Sequence, residues 1–483
     1  MAKIVYNYID GEWRESESAR TFETSNPANS AETVARYQQS TAKDARRAID
    51  ASASAADEWS QMPAPERGSI LTEASRRLTN RKAQLTELLV REEGKTKTEA
   101  SGEVQRAIDI FAYYGSKASD LGGEVRASSS HQTDLYTIRE PMGVAALITP
   151  WNYPIAIPAW KLAPALATGN AVVFKPASLT PGVAAKLVET LDESGLPDGV
   201  CNFVTGPGSE VGSTFATHED VDVVSFTGST AVGNLVYDQA TDDQKRVQLE
   251  LGGKNPAVVS ASADVERAAD IVAAGAFGVT GQACTATSRA IVHEEVYDEF
   301  LKAIVDRTET IDVGPGLEGG EMGPQVSKGE LESTLEYIDS ALKEGAELVT
   351  GGNVPKSEVA EDGYFVEPTV FADVQSDMRI ACEEVFGPVL AVIPVSDFDE
   401  GVEVANDTEY GLSASVITEN LSEAHRFTHE VEAGVVKVNE KTTGLELHVP
   451  FGGMKGSSSE TYREQGDAGL DAFSISKTVY VNY

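Results

Sequence analysis

From about Leu135 to about Lys455, short β-rich runs alternate with helix-like segments, and this rhythm limits the possible folds more than any single residue does. GVAALITP is followed by the helical pattern AIPAWKLAPALA, and the strand AVVFK by VAAKLVETLDES. VCNFVTG, a short helix from about Ser209, VDVVSFTG, a further helix and VQLELGG complete a first series. A second series opens at NPAVVSA, passes a helix at about 264–278 and then Cys284, and continues through ATSRAIVHEE. Such alternation predicts doubly wound parallel sheets with right-handed crossovers. Ligands of these sheets sit beyond the carboxyl ends of the strands. TPWNYP, KPAS, FTGST and ELGGK all fall at strand ends.

The flanking segments read differently. MAKIVYNYIDGEW alternates as a strand. Thr41 with Asp44 makes a capping pair, and Ala45, Ala48, Ile49, Ala53 and Ala56 follow at helical spacing. After Pro63 and Pro65, a second helix carries Ile70, Leu71, Ala74, Leu78, Leu85, Leu88 and Leu89 and ends near Gly94. Helix resumes from about Glu103 to Ala118. ISKTVYVNY is a strand with no local partner, and with the strand near 135–139 it predicts a small projecting sheet. Exposed edges of that kind pair with another subunit.

At 483 residues the chain exceeds what one core supports. It holds 76 Asp+Glu against 39 Lys+Arg, a formal net charge of -37, with the acids spread along its whole length. Such a surface repels phosphate backbones and argues against a nucleic-acid partner. Its self-repulsion is relieved by salt, which predicts a salt-loving host. No apolar run reaches the roughly 18 residues of a membrane span, and the N-terminus lacks a secretory pattern. Three cysteines argue against a disulfide framework and for a reducing, cytoplasmic setting.

Few residues carry candidate chemistry. Cys284 lies in GVTGQACTATSR, where glycines and hydroxyl residues suit an open loop; it reads as a nucleophile or as a small buried hydrophobe. Cys201, in VCNFV, fits the buried hydrophobe better. Cys382 precedes two acids, which are expected to raise its thiol pKa. Glu250 interrupts an apolar strand in LELGGKNP, and burial there would raise its pKa toward that of a general base, although alternation also permits a solvent-facing side chain. Asn152 in TPWNYP is either an oxyanion donor or a turn residue. Lys175 ends AVVFK, and FTGST opens a helix at about Ala231, a natural pair of sites for ribose and phosphates. The GxGxxG fingerprint is absent, and GPGSEVG only approximates it.

Nine segments together resemble the aldehyde dehydrogenase superfamily over essentially the whole chain. They are PWNYP, WKLAPALATGNAVVFKPAS, GLPDGVCNFVTG, SFTGST, ELGGKNP, GQACTATSR, EEVFGPV, NDTEYGLSA and PFGGMKGS, in family order. The resemblance implies an α/β fold with a Rossmann-type cofactor domain (1–118 and 142–252), a second α/β catalytic domain (253–456) and a small β oligomerisation extension (119–141 and 457–483). It implies Cys284 as nucleophile, Glu250 as general base, and Asn152 with the Cys284 amide as oxyanion hole. It also implies a cofactor cleft formed by Trp151, Lys175, Ser178, Gly228, Ser229, Gly252, Glu384 and Phe386, with no metal. Ser178 stands where many NAD-preferring members carry a Glu, so NADP is expected to be preferred and NAD accepted.

The stretch KTTGLELHVPFGGMKGSSSETYREQG is similar to the subgroup that oxidises 2,5-dioxopentanoate to 2-oxoglutarate in pentose and sugar-acid degradation, although Ala283 stands where that subgroup carries Arg. A carboxylate substrate needs a cation near its channel, for which Arg106 and Lys441 are candidates, with Tyr153 and Trp160 as further substrate contacts. Succinate semialdehyde is the nearest alternative substrate. A non-catalytic binding protein would be expected to lose Cys284 or Glu250, and a coenzyme A acylating relative to lack Glu250. The resemblance further implies a homodimer or homotetramer.

Overall fold

The computed structural model describes residues 3–356, 360–458 and 462–483. Met1 and Ala2 of the N-terminal strand and residues 459–461 of the 441–466 stretch lie outside the described residues.

The first strand–helix series closes into a seven-stranded sheet. Its strands run in the order Arg246–Glu250, Val223–Thr227, Val144–Ile148, Ala171–Lys175, Cys201–Phe203, Asn7–Ile9 and Glu12–Arg14. The first five are mutually parallel. Nearly every residue in them is buried, as expected of strands covered by helices on both faces. The last two form an antiparallel hairpin turned at Asp10-Gly11, with φ of 56° and 76°. Asp-Gly takes those values readily. The expected single N-terminal strand is thus in three pieces: the turn separates Asn7–Ile9 from Glu12–Arg14, and at Tyr6 the chain passes from Lys3–Val5 in a different sheet.

The second series builds another seven-stranded sheet, in the order Glu347–Thr350, Thr369–Ala372, Val389–Val395, Thr287–His293, Asn255–Val259, Ser413–Ile417 and Val435–Val438. All its pairings are parallel except that of the edge strand Glu347–Thr350. The third expected sheet is also present. Ser474–Asn482 pairs antiparallel with Thr133–Pro141 along its whole length, from Ser474↔Pro141 to Asn482↔Thr133.

Two strands, Thr21–Asn26 and Asn29–Gln38, have no counterpart in the sequence reading. They pair with each other and with Lys3–Val5 in a small sheet, mostly exposed and with neither face continuously apolar, so no period-two signal marks them.

Helix ends follow local chemistry. Ala42–Gln61 starts at the Thr41–Asp44 capping box, and Ala64–Glu93 stops at Gly94 in left-handed geometry (φ 101°). The next helix, Lys97–Lys117, begins about two turns ahead of the expected Glu103, because Thr96 and Glu99 form a second capping box. Among the described residues, no helix is long and apolar enough to cross a membrane.

Candidate active site

The carboxyl ends of four adjacent parallel strands bring the motifs together. Strand Val144–Ile148 leads into the 149–154 turn, Ala171–Lys175 ends on Lys175, Val223–Thr227 leads to Gly228 and Ser229, and Arg246–Glu250 ends on Glu250. Ser229 opens the helix Thr230–Thr241, and its side chain makes no capping hydrogen bond, so the hydroxyl is available at a helix N-terminus. Lys175 is buried, donates to the Pro176 carbonyl (2.8 Å), and is pulled down to about 8 by burial. Ser178 Oγ lies 3.3 Å from the Gly206 carbonyl oxygen. Glu384 accepts the Gly253 amide (3.0 Å), and burial pushes its carboxyl up to about 7. A Cβ on Gly252 would lie 2.2 Å from Glu384 Oε2, so only glycine permits this approach. Trp151 and Phe386 meet edge to face, with ring centroids 5.2 Å apart. Polar groups suited to ribose and phosphate thus stand at one sheet edge beside an aromatic pair, an arrangement that fits a dinucleotide.

Cys284 is half-buried, in a loop whose backbone is tied from several sides. Asn255 Nδ2 donates to the carbonyls of Cys284 and Ala286, both at 2.8 Å. Just upstream, Val279 and Thr280 are both left-handed, with φ of 52° and 56°, a strained state for β-branched residues. Thr280 Oγ1 donates to the Gly323 carbonyl (3.0 Å), and Glu99 accepts the Val279 amide (2.6 Å). Burial, with the carboxylates of Glu384, Glu250 and Glu464, holds the Cys284 thiol well above its ordinary range. Asn152 is buried, and its Nδ2 donates to the Gln282 carbonyl (2.9 Å), so the amide group faces the cysteine loop.

Glu250 is 1% exposed, which resolves the ambiguity of its strand in favour of burial. Burial raises its carboxyl well above the usual range; Glu464 adds to this, while Lys161, Arg463 and the Gly453 amide oppose it. Lys161 bonds Glu464, Ser225 Oγ (2.6 Å) and Gln248 Oε1 (3.2 Å). The sequence reading passed over both Lys161 and Glu464. Lys161 sits in the apolar helix pattern AIPAWKLAPALA, and the buried-charge reasoning that singled out Glu250 applies to it equally.

A cavity of about 430 Å³ reaches Cys284 and is lined also by Tyr153, Trp160, Arg106, Lys441 and Phe451. All four residues named for substrate contact therefore border the same space as the cysteine. Arg106 Nη2 donates to Gln465 Oε1 (2.7 Å), whereas Lys441 is exposed.

The other two cysteines separate as expected, with one correction of cause. Cys201 is buried, and its thiol is pushed up to about 12 by burial alone. Cys382 is also raised, but chiefly by partial burial and then by Asp407 and Asp377, rather than by the two acids that follow it. Glu384 turns instead to the Gly253 amide, and Glu383 pairs with Arg379.

Sheets that gather these motifs at one edge beside a half-buried cysteine define a nucleotide-dependent oxidoreductase. The chain belongs to the aldehyde dehydrogenase family, which matches residues 13–479, and is an NAD(P)-dependent enzyme. It is 66% identical over 477 residues to the α-ketoglutarate semialdehyde dehydrogenase of Haloferax volcanii, covering 99% of each chain. It is 45% identical to the 2,5-dioxopentanoate dehydrogenase of Saccharolobus solfataricus, covering 94% of this chain and 95% of that one. Among solved structures, betaine aldehyde dehydrogenase from Staphylococcus aureus in complex with NAD+ superposes with a TM-score of 0.96 at 37% identity, covering 99% of this chain and 94% of that chain. A 3,6-anhydro-L-galactose dehydrogenase in complex with NADP also reaches a TM-score of 0.96, at 36% identity, covering 99% of this chain and 100% of that one.

Proposed function

We propose that the protein oxidises 2,5-dioxopentanoate to 2-oxoglutarate through a thioester on Cys284, with NADP preferred over NAD. The observation that carries this reading is that Cys284 borders a cavity while the Asn152 amide faces its loop and the buried Glu250 carboxyl lies close enough to raise its thiol, in a chain 66% identical to an α-ketoglutarate semialdehyde dehydrogenase.

The Cys284 sulfur, once deprotonated, adds to the aldehyde carbon, and the Asn152 amide with the Cys284 N–H stabilises the resulting oxyanion. The bound cofactor supplies the hydride acceptor. Collapse of the oxyanion leaves an acyl thioester on Cys284. Glu250 then takes a proton from water, the hydroxide attacks the thioester, the C–S bond breaks, and the acid leaves as its carboxylate. One aldehyde, one water and one oxidised cofactor thus give one carboxylate, one reduced cofactor and two protons. Lys175 and Ser178 would hold the adenosine ribose and its 2′-phosphate, Ser229 with the Gly228 backbone the pyrophosphate, and Glu384 the nicotinamide ribose, with Trp151, Gly252 and Phe386 shaping the cleft. Tyr153 and Trp160 would form the channel walls, and Arg106 or Lys441 would meet the substrate carboxylate.

On the same footing we assign residues 1–118 and 142–252 to cofactor binding, 253–456 to catalysis, and 119–141 with 457–483 to assembly of a cytoplasmic homodimer or homotetramer. Three unpaired cysteines support the reducing setting.

The test is kcat/KM in molar KCl with NADP, comparing 2,5-dioxopentanoate with succinate semialdehyde. A clear preference for the first is expected. Equal rates, or preference for the second, would overturn the substrate assignment and leave the cysteine chemistry standing.

A further inference from the structure

The start of the Lys97–Lys117 helix makes contacts that the chemistry above does not use. Lys95, just ahead of it, is 1% exposed, and its Nζ donates to Glu103 Oε2 and to the main-chain oxygen of Asn152, both at 2.7 Å. The same ammonium lies 4.4 Å from the centroid of the Tyr153 ring. Glu103 Oε1 accepts the amides of Ile155 (3.0 Å) and Ala156 (3.1 Å). One buried ion pair therefore grips the 152–156 turn at both ends. One helical turn before Glu103, Glu99 accepts the amide of Val279 (2.6 Å), the first of the two left-handed residues ahead of Cys284. Residues four apart share a helix face, and Glu99 and Glu103 both line the cavity that reaches Cys284.

A buried ion pair is a weak source of net stability, because apolar side chains of similar volume serve as well or better. Charges in this position add direction instead. Lys95 fixes where the Asn152 carbonyl lies, and hence where its side-chain amide points. Adjacent left-handed β-branched residues persist only where the surroundings over-determine them, and the Glu99 carboxylate supplies one such restraint.

We propose that Lys95, Glu99 and Glu103 are positioning residues that set Cys284 against the Asn152 amide, one helix face holding the oxyanion turn at one point and the nucleophile loop at another. This rests on the reading of Asn152 as oxyanion donor, so the experiment includes Asn152→Ala on its own.

Single-turnover hydride transfer is measured for Lys95→Met, Asn152→Ala and the double variant. Asn152→Ala is expected to lose about 10²–10³-fold, as for one oxyanion donor. Lys95→Met is expected to lose on the order of 10²-fold, the effect of a misplacement of about 1 Å. The double variant should be no slower than Asn152→Ala, since a group that acts only through Asn152 has nothing left to position. Additive losses, or a Lys95→Met enzyme at the parent rate, would overturn the proposal. If Asn152→Ala alone runs at the parent rate, the oxyanion reading fails and the proposal falls with it. If Lys95→Met does not fold, Glu99→Ala decides, because it leaves the buried pair in place. Folded Glu99→Ala should transfer hydride at least tenfold more slowly with an unchanged cofactor KM, and parent-like transfer would overturn the proposal.

Discussion

At the scale of single residues, the site is set by where charge is buried. Burial and three carboxylates hold the Cys284 thiol above its ordinary value of 9.0, so in the free enzyme the thiolate is the minor form and grows with rising pH. Alkylation of Cys284 by iodoacetamide, followed by peptide mass spectrometry, should therefore rise about tenfold per unit across roughly pH 7 to 9 without a plateau. A plateau below about pH 8 would mean that a cation lowers the thiol instead. Glu250 is likewise raised, and a carboxyl can take a proton only when ionised, so in the proposed mechanism deacylation should also quicken with pH. Glu250→Gln should keep a full burst of reduced cofactor while steady turnover falls by about 10²–10⁴-fold, the usual worth of a general base. Ser178→Glu should turn preference from NADP toward NAD by at least tenfold in kcat/KM, because a carboxylate there repels a 2′-phosphate. Glu250 could be read from the sequence because a lone acid in an apolar strand is conspicuous. Lys95 and Glu103 could not, since in REEGKTKTEASGE they sit among other charges and only the fold tells the buried ones from the exposed.

Among elements, the legible ones are those with a one-sided or fully apolar pattern bounded by recognisable caps. The parallel strands of both sheets qualify, and the Thr41–Asp44 box marked its helix to the residue. The strands Thr21–Asn26 and Asn29–Gln38 escaped because polar residues interrupt both faces, so neither shows a continuous apolar alternation. The C-terminal strand is the instructive middle case. Its pairing with Thr133–Pro141 was readable because a strand pattern with no local partner must find one elsewhere, and its outer residues stay uncovered by that partner: Tyr480 is 70% exposed and Val481 40%. Under the proposed assembly, this largely uncovered edge strand is where a second copy would pair. Deleting residues 475–483 should therefore yield monomers by light scattering in high salt, with the two large sheets still folded by circular dichroism. An oligomer of unchanged mass would move the interface elsewhere.

For the whole molecule, the dominant quantity is the net charge of -37. Even with every Lys and Arg matched to an acid, that much negative charge stays unpaired. Two effects of salt then compete. Exposed ion pairs such as Arg426–Glu430 and Lys343–Asp339 weaken when screened, but each contributes only about 0–1 kcal/mol. Repulsion among the unpaired carboxylates weakens too, and it acts over the whole surface whenever the Debye length is comparable with the spacing of charges. Because the acids outnumber the bases 76 to 39, repulsion prevails and the melting temperature should rise with KCl. Such a surface suits a saline medium, and the 66% identical relative comes from a halophile. The shape of the curve identifies the cause. The Debye length falls from about 10 Å at 0.1 M to about 3 Å at 1 M, so pure screening does most of its work below about 1 M and is the same for NaCl and KCl. A rise that continues steeply beyond that, and is larger for sulfate than for chloride at equal ionic strength, would instead report strengthened apolar burial. A melting temperature unchanged between low salt and molar KCl would mean that the carboxylates are too well hydrated and too far apart for their repulsion to matter.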